Sequence, residues 1–303
     1  MFYGVFLSFA SYAAYAVSDA CVKFINGALP PYETAFFGAV FGLIVIPFVK
    51  RSEDSWFDII RSQNWKMWLL RTVSAAIGVI GSVTAFTHLS MAEAFTLIFL
   101  QPLFVSILSM LFLKESIGWR RWLAIIIGFL GVIIVLRPGF RSLNIGHIGA
   151  VFAGLSGAIS IIILRIMGGK EKRISLYASG IIGSIIICGT LSIPTYAKPQ
   201  NIEWIYLLGY GLLAALGAIF TMAAARRVPA IAIATPQYSQ MIWAILFGYF
   251  IFHDHLDLPM VIGIILIMAS SLLTFLREEK RYSEQTKFRL LPQNKFSKPK
   301  TEK

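Results

Sequence analysis

Residues 85–136 read AFTHLSMAEAFTLIFLQPLFVSILSMLFLKESIGWRRWLAIIIGFLGVIIVL, and residues 244–273 read AILFGYFIFHDHLDLPMVIGIILIMASSLL. Each is a long apolar run, a short polar turn that opens on an acid, and a second long apolar run. A shift of 139 residues lays Glu115 on Asp254, Gly131 on Ser270, Trp65 on Trp204 and Gly78 on Gly217. A shift of 142 lays Lys23 on Arg165 and Gly38 on Gly180. Self-similarity at a nearly fixed offset means one structural plan used twice.

The composition says where such a plan can exist. Of 303 residues, 57% are apolar and 14% charged, against about 45–50% and about 25% in soluble domains. The apolar runs are too long and too many for water-soluble cores. About 20 apolar residues carry a helix across a bilayer, which predicts an all-α integral membrane protein. Ten spans are expected, near 2–25, 31–49, 66–88, 91–113, 119–137, 146–166, 173–196, 203–225, 229–252 and 258–276. The first run has no basic start or cleavage pattern and carries Asp19 and Lys23, so it reads as a retained span. Proline and glycine mark several breaks: Pro30-Pro31, Pro138-Gly139, Gly168-Gly169 and Pro229.

The net charge of +12 is a topology signal and not a nucleic-acid signal. Twenty-two Lys and Arg fall in the tail and in the loops of one side, and four on the other. The positive-inside rule then places both termini in the cytoplasm and the protein in the cytoplasmic (inner) membrane of a cell. Two repeats, 1–138 and 146–276, hold five spans each and so enter the bilayer in opposite orientation. Two inverted five-helix repeats are the plan of many secondary transporters. The segment 277–303 is basic, has no helical period, and reads as a disordered cytoplasmic tail near anionic lipid.

Charges at membrane depth face a bundle interior or a cavity. Asp19 and Lys23 are four apart on one helix face and are expected to pair. Asp19 lies about 25 Å along its helix at 1.5 Å per residue. Two readings stay open for it: a structural pair at the outer interface, or a gate or substrate-charge contact. Glu33 and His88 read as interfacial charge, with His88 close to Glu93 across a turn. Glu93 is a candidate for proton exchange. Gln101 precedes Pro102 in span four, and Gln237 and Tyr238 follow Pro236 in span nine. A proline inside a span frees a backbone carbonyl, and transporter sites often lie beside such breaks. These three are expected to line a cavity, with Ser18 and Trp243 as further contacts and Tyr12, Tyr15 and Tyr249 below them. Lys114-Glu115 and His253-Asp254 read as helix-turn capping or a lateral salt bridge. Gly78, Gly81, Gly128 and Gly131 read as close helix packing.

The chain is similar to the EamA type of the drug/metabolite transporter superfamily. The resemblance rests on Ala94–Leu100, Pro102 and Leu113-Lys114-Glu115, and on Pro236-Gln237-Tyr238, Trp243-Ala244 and Gly248-Tyr249. Asp19-Ala20-Cys21-Val22-Lys23 in span one also resembles this group. It implies ten spans in two halves and a small-molecule substrate: an amino acid, an amine or a related metabolite. A dedicated carrier for a cofactor-like solute, such as S-adenosylmethionine or riboflavin, is the alternative, and a non-transporting scaffold is the second. Many relatives carry Arg where this chain has Phe36-Phe37-Gly38, and Glu where it has Asp254 between His253 and His255. No phosphate-binding loop, H-E-x-x-H or serine elbow is present, so enzyme chemistry is not expected. Neither a cofactor nor a metal site is expected, and Cys21 and Cys188 lie in apolar runs. Expected partners are the substrate, the lipid bilayer and protons as coupling ion, with no nucleic acid. A homodimer is left open.

Overall fold

The structure, a computed structural model, describes residues 2–25, 27–113, 119–136, 143–167, 171–225, 239–254 and 257–270. Gln237, Tyr238, Lys114, Glu115, His255 and the tail lie outside the described residues. Eleven apolar helices run through the rest, and no strand occurs among the described residues. They are α1 (Phe2–Ile25), α2 (Pro31–Val49), α3 (Trp65–His88), α4 (Met91–Ile98), α5 (Gln101–Leu113), α6 (Trp119–Leu136), α7 (Ile145–Met167), α8 (Arg173–Ser192), α9 (Asn201–Ala225), α10 (Ser239–Phe250) and α11 (Leu258–Ser270). Six stretches among the described residues are long and apolar enough to cross a membrane: α2, α3, α4 with α5, and parts of α7, α8 and α9. The apolar helices in 125–135, 239–250 and 258–270 are shorter.

Local chemistry sets the helix ends. Gly27 leaves α1 at φ 77°, a left-handed turn that favours glycine. Pro31 opens α2, where a missing N–H costs nothing. Asn64 caps α3 by accepting the Met67 N–H at 3.3 Å, and Ser90 caps α4 by accepting the Glu93 N–H at 3.2 Å. Both α2 and α8 are irregular near a proline. A 3₁₀ turn at Leu43–Val45 precedes Pro47, and the α8 run has a π segment at Ser184–Cys188 and a 3₁₀ turn at Ile193–Thr195 around Pro194.

The span at 91–113 breaks between α4 and α5. Pro102 has no N–H to give the Ile98 carbonyl. The turn tightens there: the Leu100 N–H bonds back to Leu97 O at 3.1 Å. Gly154 of α7 fits this break, since a Cβ there would stand 2.9 Å from Ile98 O. The break falls beside Gln101, where the sequence put it.

Packing follows a reciprocal scheme. α3 runs along α7, and α1 along α9. α2 rests on α9, and α3 on α8; α4 and α5 rest on α7, and α10 on α1. α3 and α7 touch through glycine. A Cβ on Gly81 would lie 2.5 Å from Gly149 O, and one on Gly149 would lie 2.6 Å from Gly81 O. The main buried cluster gathers Phe86, Met91, Phe95, Leu97, Met241 and Ile267. Large apolar side chains such as Phe6, Leu70, Phe129, Ile133 and Ile205 are exposed on the outside. In water such a surface would aggregate; toward lipid it is the proper exterior.

Candidate functional site

Helix α1 carries the interior polar face. Phe6, Val17 and Phe24 are exposed, and at about 100° per residue they share one side of the helix. Asp19 stands about 200° from Val17, so it points away from lipid. Tyr12 and Tyr15 precede it by seven and four residues, so the three form one stripe. All three are only half-buried. A half-buried side chain on the inward face of a bundle borders open space within it.

Neighbouring helices shape this face. The Tyr15 ring lies over Gly217 of α9, where a Cβ would be 2.9 Å from the ring. Tyr12 and Tyr15 have ring centroids 6.2 Å apart. Ser18 is buried, and its hydroxyl donates to Tyr210 O at 2.8 Å, tying α1 to α9. The Tyr210 ring fills the place of a Gly38 side chain on α2. The Ser18–Tyr210 bond brings α9 against the stretch of α1 that carries Asp19. Among the described residues its carboxylate has no hydrogen-bond or ion-pair partner.

The expected Asp19–Lys23 pair therefore does not form. Lys23 pairs with Asp254 at 3.2 Å and donates to Leu89 O at 2.9 Å. Its ammonium also sits 5.2 Å from the Phe252 ring centre. Asp254 accepts the Met91 N–H at 2.9 Å, at the start of α4. One carboxylate thus caps a helix and neutralises a lysine, and α1, the α3–α4 turn and the end of α10 are joined. The expectation failed because four-residue spacing describes one helix alone, while the true partner is 231 residues away.

Glu93 also finds a partner on another helix. His147 Nε2 of α7 lies 3.2 Å from its carboxylate, and Asn144 orients the ring through Nδ1 at 2.9 Å. His88 instead places Nδ1 2.9 Å from Thr84 O of its own helix. Glu33 is fully buried and accepts the Ala197 N–H at 3.1 Å. Gln101 is half-buried and lies over Gly157 of α7, where a Cβ would be 2.8 Å from the amide carbon. The Trp243 ring sits 5.7 Å from Phe247 on its own helix. Gln237 and Tyr238 are not described. No group of three or more His, Cys, Asp and Glu that could hold a metal ion occurs among the described residues.

At the other end of the bundle the loops are tied. Lys172 meets Asp58 at 2.5 Å and Asp54 at 3.8 Å. Glu171 accepts Ser62 Oγ at 2.6 Å and the Gln63 N–H at 2.6 Å. The hydrogen bond from Lys172 holds the Asp58 carboxyl below the usual carboxylate range, and the same bond raises the Lys172 ammonium. Inside the bundle near this end, Arg71 donates to Leu176 O and Ser179 Oγ.

Sequence reasoning did not single out Tyr210 or His147 as members of these clusters. It read Asp254 as capping a helix turn or forming a lateral salt bridge, and the structure shows both, with Met91 and Lys23 as the partners it did not name.

Comparison with known proteins fits this architecture. An S-adenosylmethionine uptake transporter of Rickettsia conorii is 27% identical over 266 residues, covering 88% of this chain and 90% of the relative. One of Rickettsia bellii is 28% identical over 275 residues, covering 89% and 92%. The pseudopaline exporter CntI of Pseudomonas aeruginosa is 22% identical, covering 88% and 94%. A solved crystal structure, 15% identical, superposes with a TM-score of 0.61 over 91% of this chain and 98% of its own, and shows the fold alone. The model of the EamA-like transporter family matches residues 2–137 and again 144–276. The chain therefore belongs to the EamA-like transporter family: it is a multi-pass membrane transporter and not an enzyme.

Proposed function

We propose that the chain is a secondary transporter that moves a small organic metabolite across the cytoplasmic membrane by alternating access. It has ten spans in two inverted five-helix halves, 1–138 and 146–276, and both termini are cytoplasmic. Two observations support the halves. The family model matches twice, once over each half. The packing is also reciprocal. α1 of the first half lies on α9, the third span of the second; α7, the first span of the second half, lies on α3, the third span of the first. An exchange of this kind is what a twofold relation between halves produces.

The observation that carries the transport reading is Asp19, a carboxylate inside the bundle that no described residue neutralises. A scaffold gains nothing from such a group, because an unpaired charge in a membrane is costly. The proposed cavity also takes in Ser18, Gln101 and Trp243, and, from the sequence alone, Gln237 and Tyr238. Lys23, held by Asp254, closes the outer end, and opening that end breaks the pair. Asp19 and Glu93 exchange the coupling proton. The uptake of S-adenosylmethionine or a similar cofactor-like solute is the second reading, favoured by the names of the Rickettsia relatives.

Counterflow in proteoliposomes tests this. Purified protein preloaded in turn with amino acids, amines, S-adenosylmethionine and riboflavin should show saturable exchange of one class. A pH gradient should alter its accumulation. No exchange across the panel sinks the transport reading and returns weight to a scaffold.

A further inference from the structure

Asp19 is the one acid on the inward stripe of α1, and what surrounds it is aromatic. Tyr15 and Tyr12 lie about one and two turns away on the same face. Tyr210 of α9 is held to this stretch of α1 by the bond that Ser18 donates to its carbonyl at 2.8 Å. Lys23 is four residues on, yet its ammonium is taken by Asp254 and Leu89 O. Arg71 lies near the opposite end of its own helix, and its guanidinium is turned to Leu176 O and Ser179. Asp19 is therefore an acid with no described cation beside it on a stripe of phenol rings; Glu33, also without a described cation, is fully buried at the start of α2 and accepts the Ala197 N–H.

A carboxyl group in the place of Asp19 is stable when it is protonated or when a positive charge arrives. The described residues offer no cluster of ligands for a metal ion. Phenol faces attract onium groups through the ring quadrupole, most strongly where water is excluded. We infer that the Tyr12–Tyr15–Asp19 face, closed by Tyr210, recognises a fixed positive charge on the cargo. The transported solute is then an organic cation, an ammonium or a sulfonium compound, and not a neutral sugar or an organic acid. This rests on the transport reading and narrows its substrate class.

Matched ligand pairs that differ in one charge test it. S-adenosylmethionine and S-adenosylhomocysteine differ by one methyl group and its sulfonium charge. Choline and 3,3-dimethyl-1-butanol have the same shape with and without the charge. Binding of each to the full chain in lipid nanodiscs is measured by titration calorimetry, and counterflow is run in parallel on the same panel. The expected result is that at least one cation binds about tenfold or more tighter than its uncharged twin, a gap of about 1.4 kcal/mol. Asp19→Asn should erase that preference, while Asp19→Glu keeps part of it. An Asn variant that binds both twins equally is folded, so the neutral twin serves as the folding control. Exchange of a neutral or anionic solute at the same rate in wild type and Asp19→Asn would overturn the inference and leave the transport reading standing. Exchange of nothing by wild type would overturn both.

Discussion

Two acid–base pairs join distant parts of this chain at opposite ends of the bundle, and they differ in solvent. Lys23 and Asp254 are each 13% exposed, packed by Phe252 and tied to the backbone at Leu89 and Met91. Lys172 is 49% exposed, while its partner Asp58 is 8% exposed. The first pair sits in a low-dielectric setting, where each charge depends on the other. In the second, water screens the lysine, and the pair positions loops more than it holds them. An end that must open and close needs a contact with two distinct states. A buried pair is either made or broken at a cost; a solvated one slackens gradually.

The largest effect should come from stranding one member of the buried pair. Lys23→Ala leaves Asp254 unpaired, and Asp254→Ala leaves Lys23 unpaired. Each should lower stability by about 3–5 kcal/mol, read as the midpoint of unfolding in detergent. The swapped double variant, Lys23→Asp with Asp254→Lys, should recover part of the loss. Equal and small losses at Lys23 and Lys172 would erase the contrast between the ends.

Helix contact gives the next test. Gly81→Ala on α3 would press a methyl within 2.5 Å of Gly149 O. Backbone cannot retreat cheaply, so a loss of about 1–3 kcal/mol is expected. Gly180→Ala on α8 meets Arg71 at an ordinary 3.8 Å and should be close to neutral in the same thermal scan. A third variant, Glu93→Gln, keeps the shape of the Glu93–His147 contact and removes its charge. The pH profile of counterflow should then shift with little change in the melting midpoint. If Glu93→Gln and Asp19→Asn both keep the wild-type profile, protons are not the coupling ion.

The smallest effect belongs to Lys172 and Asp58. Asp58 has a lowered pKa, so its contribution is present above the ordinary carboxylate range and fades as pH falls through the lowered value. Lys172 has a raised pKa, so its contribution is present below the ordinary lysine range and fades as pH rises through the raised value. Between those limits the loop tie should be flat with pH. Limited proteolysis of the 50–64 loop should accelerate slightly at acid and strongly alkaline pH, and in Lys172→Met at neutral pH.

Long apolar runs, prolines and glycines made most of the fold legible. The break at Gln101-Pro102 was readable because a missing N–H is written in one letter. The glycine contacts between helices were readable from small residues at repeated positions. Partner choice was not. Asp19 and Lys23 looked paired because local spacing is the only geometry a sequence prints. Glu93 chose His147 of α7 over nearby His88 because the third dimension brings α4 onto α7. The place of Glu33 near a helix start says nothing of the segment at Ala197 that covers it. The repeat was the one long-range signal in the chain, and it set Lys23 on Arg165 and Asp254 on Glu115 without joining Lys23 to Asp254.

The most direct test is counterflow of a labelled organic cation, with S-adenosylmethionine first, in proteoliposomes holding wild type or Asp19→Asn. The account predicts saturable exchange by wild type and a loss of about tenfold or more in the Asn variant at equal protein incorporation. Equal exchange by the two proteins, or none by wild type with any solute of the panel, would contradict it.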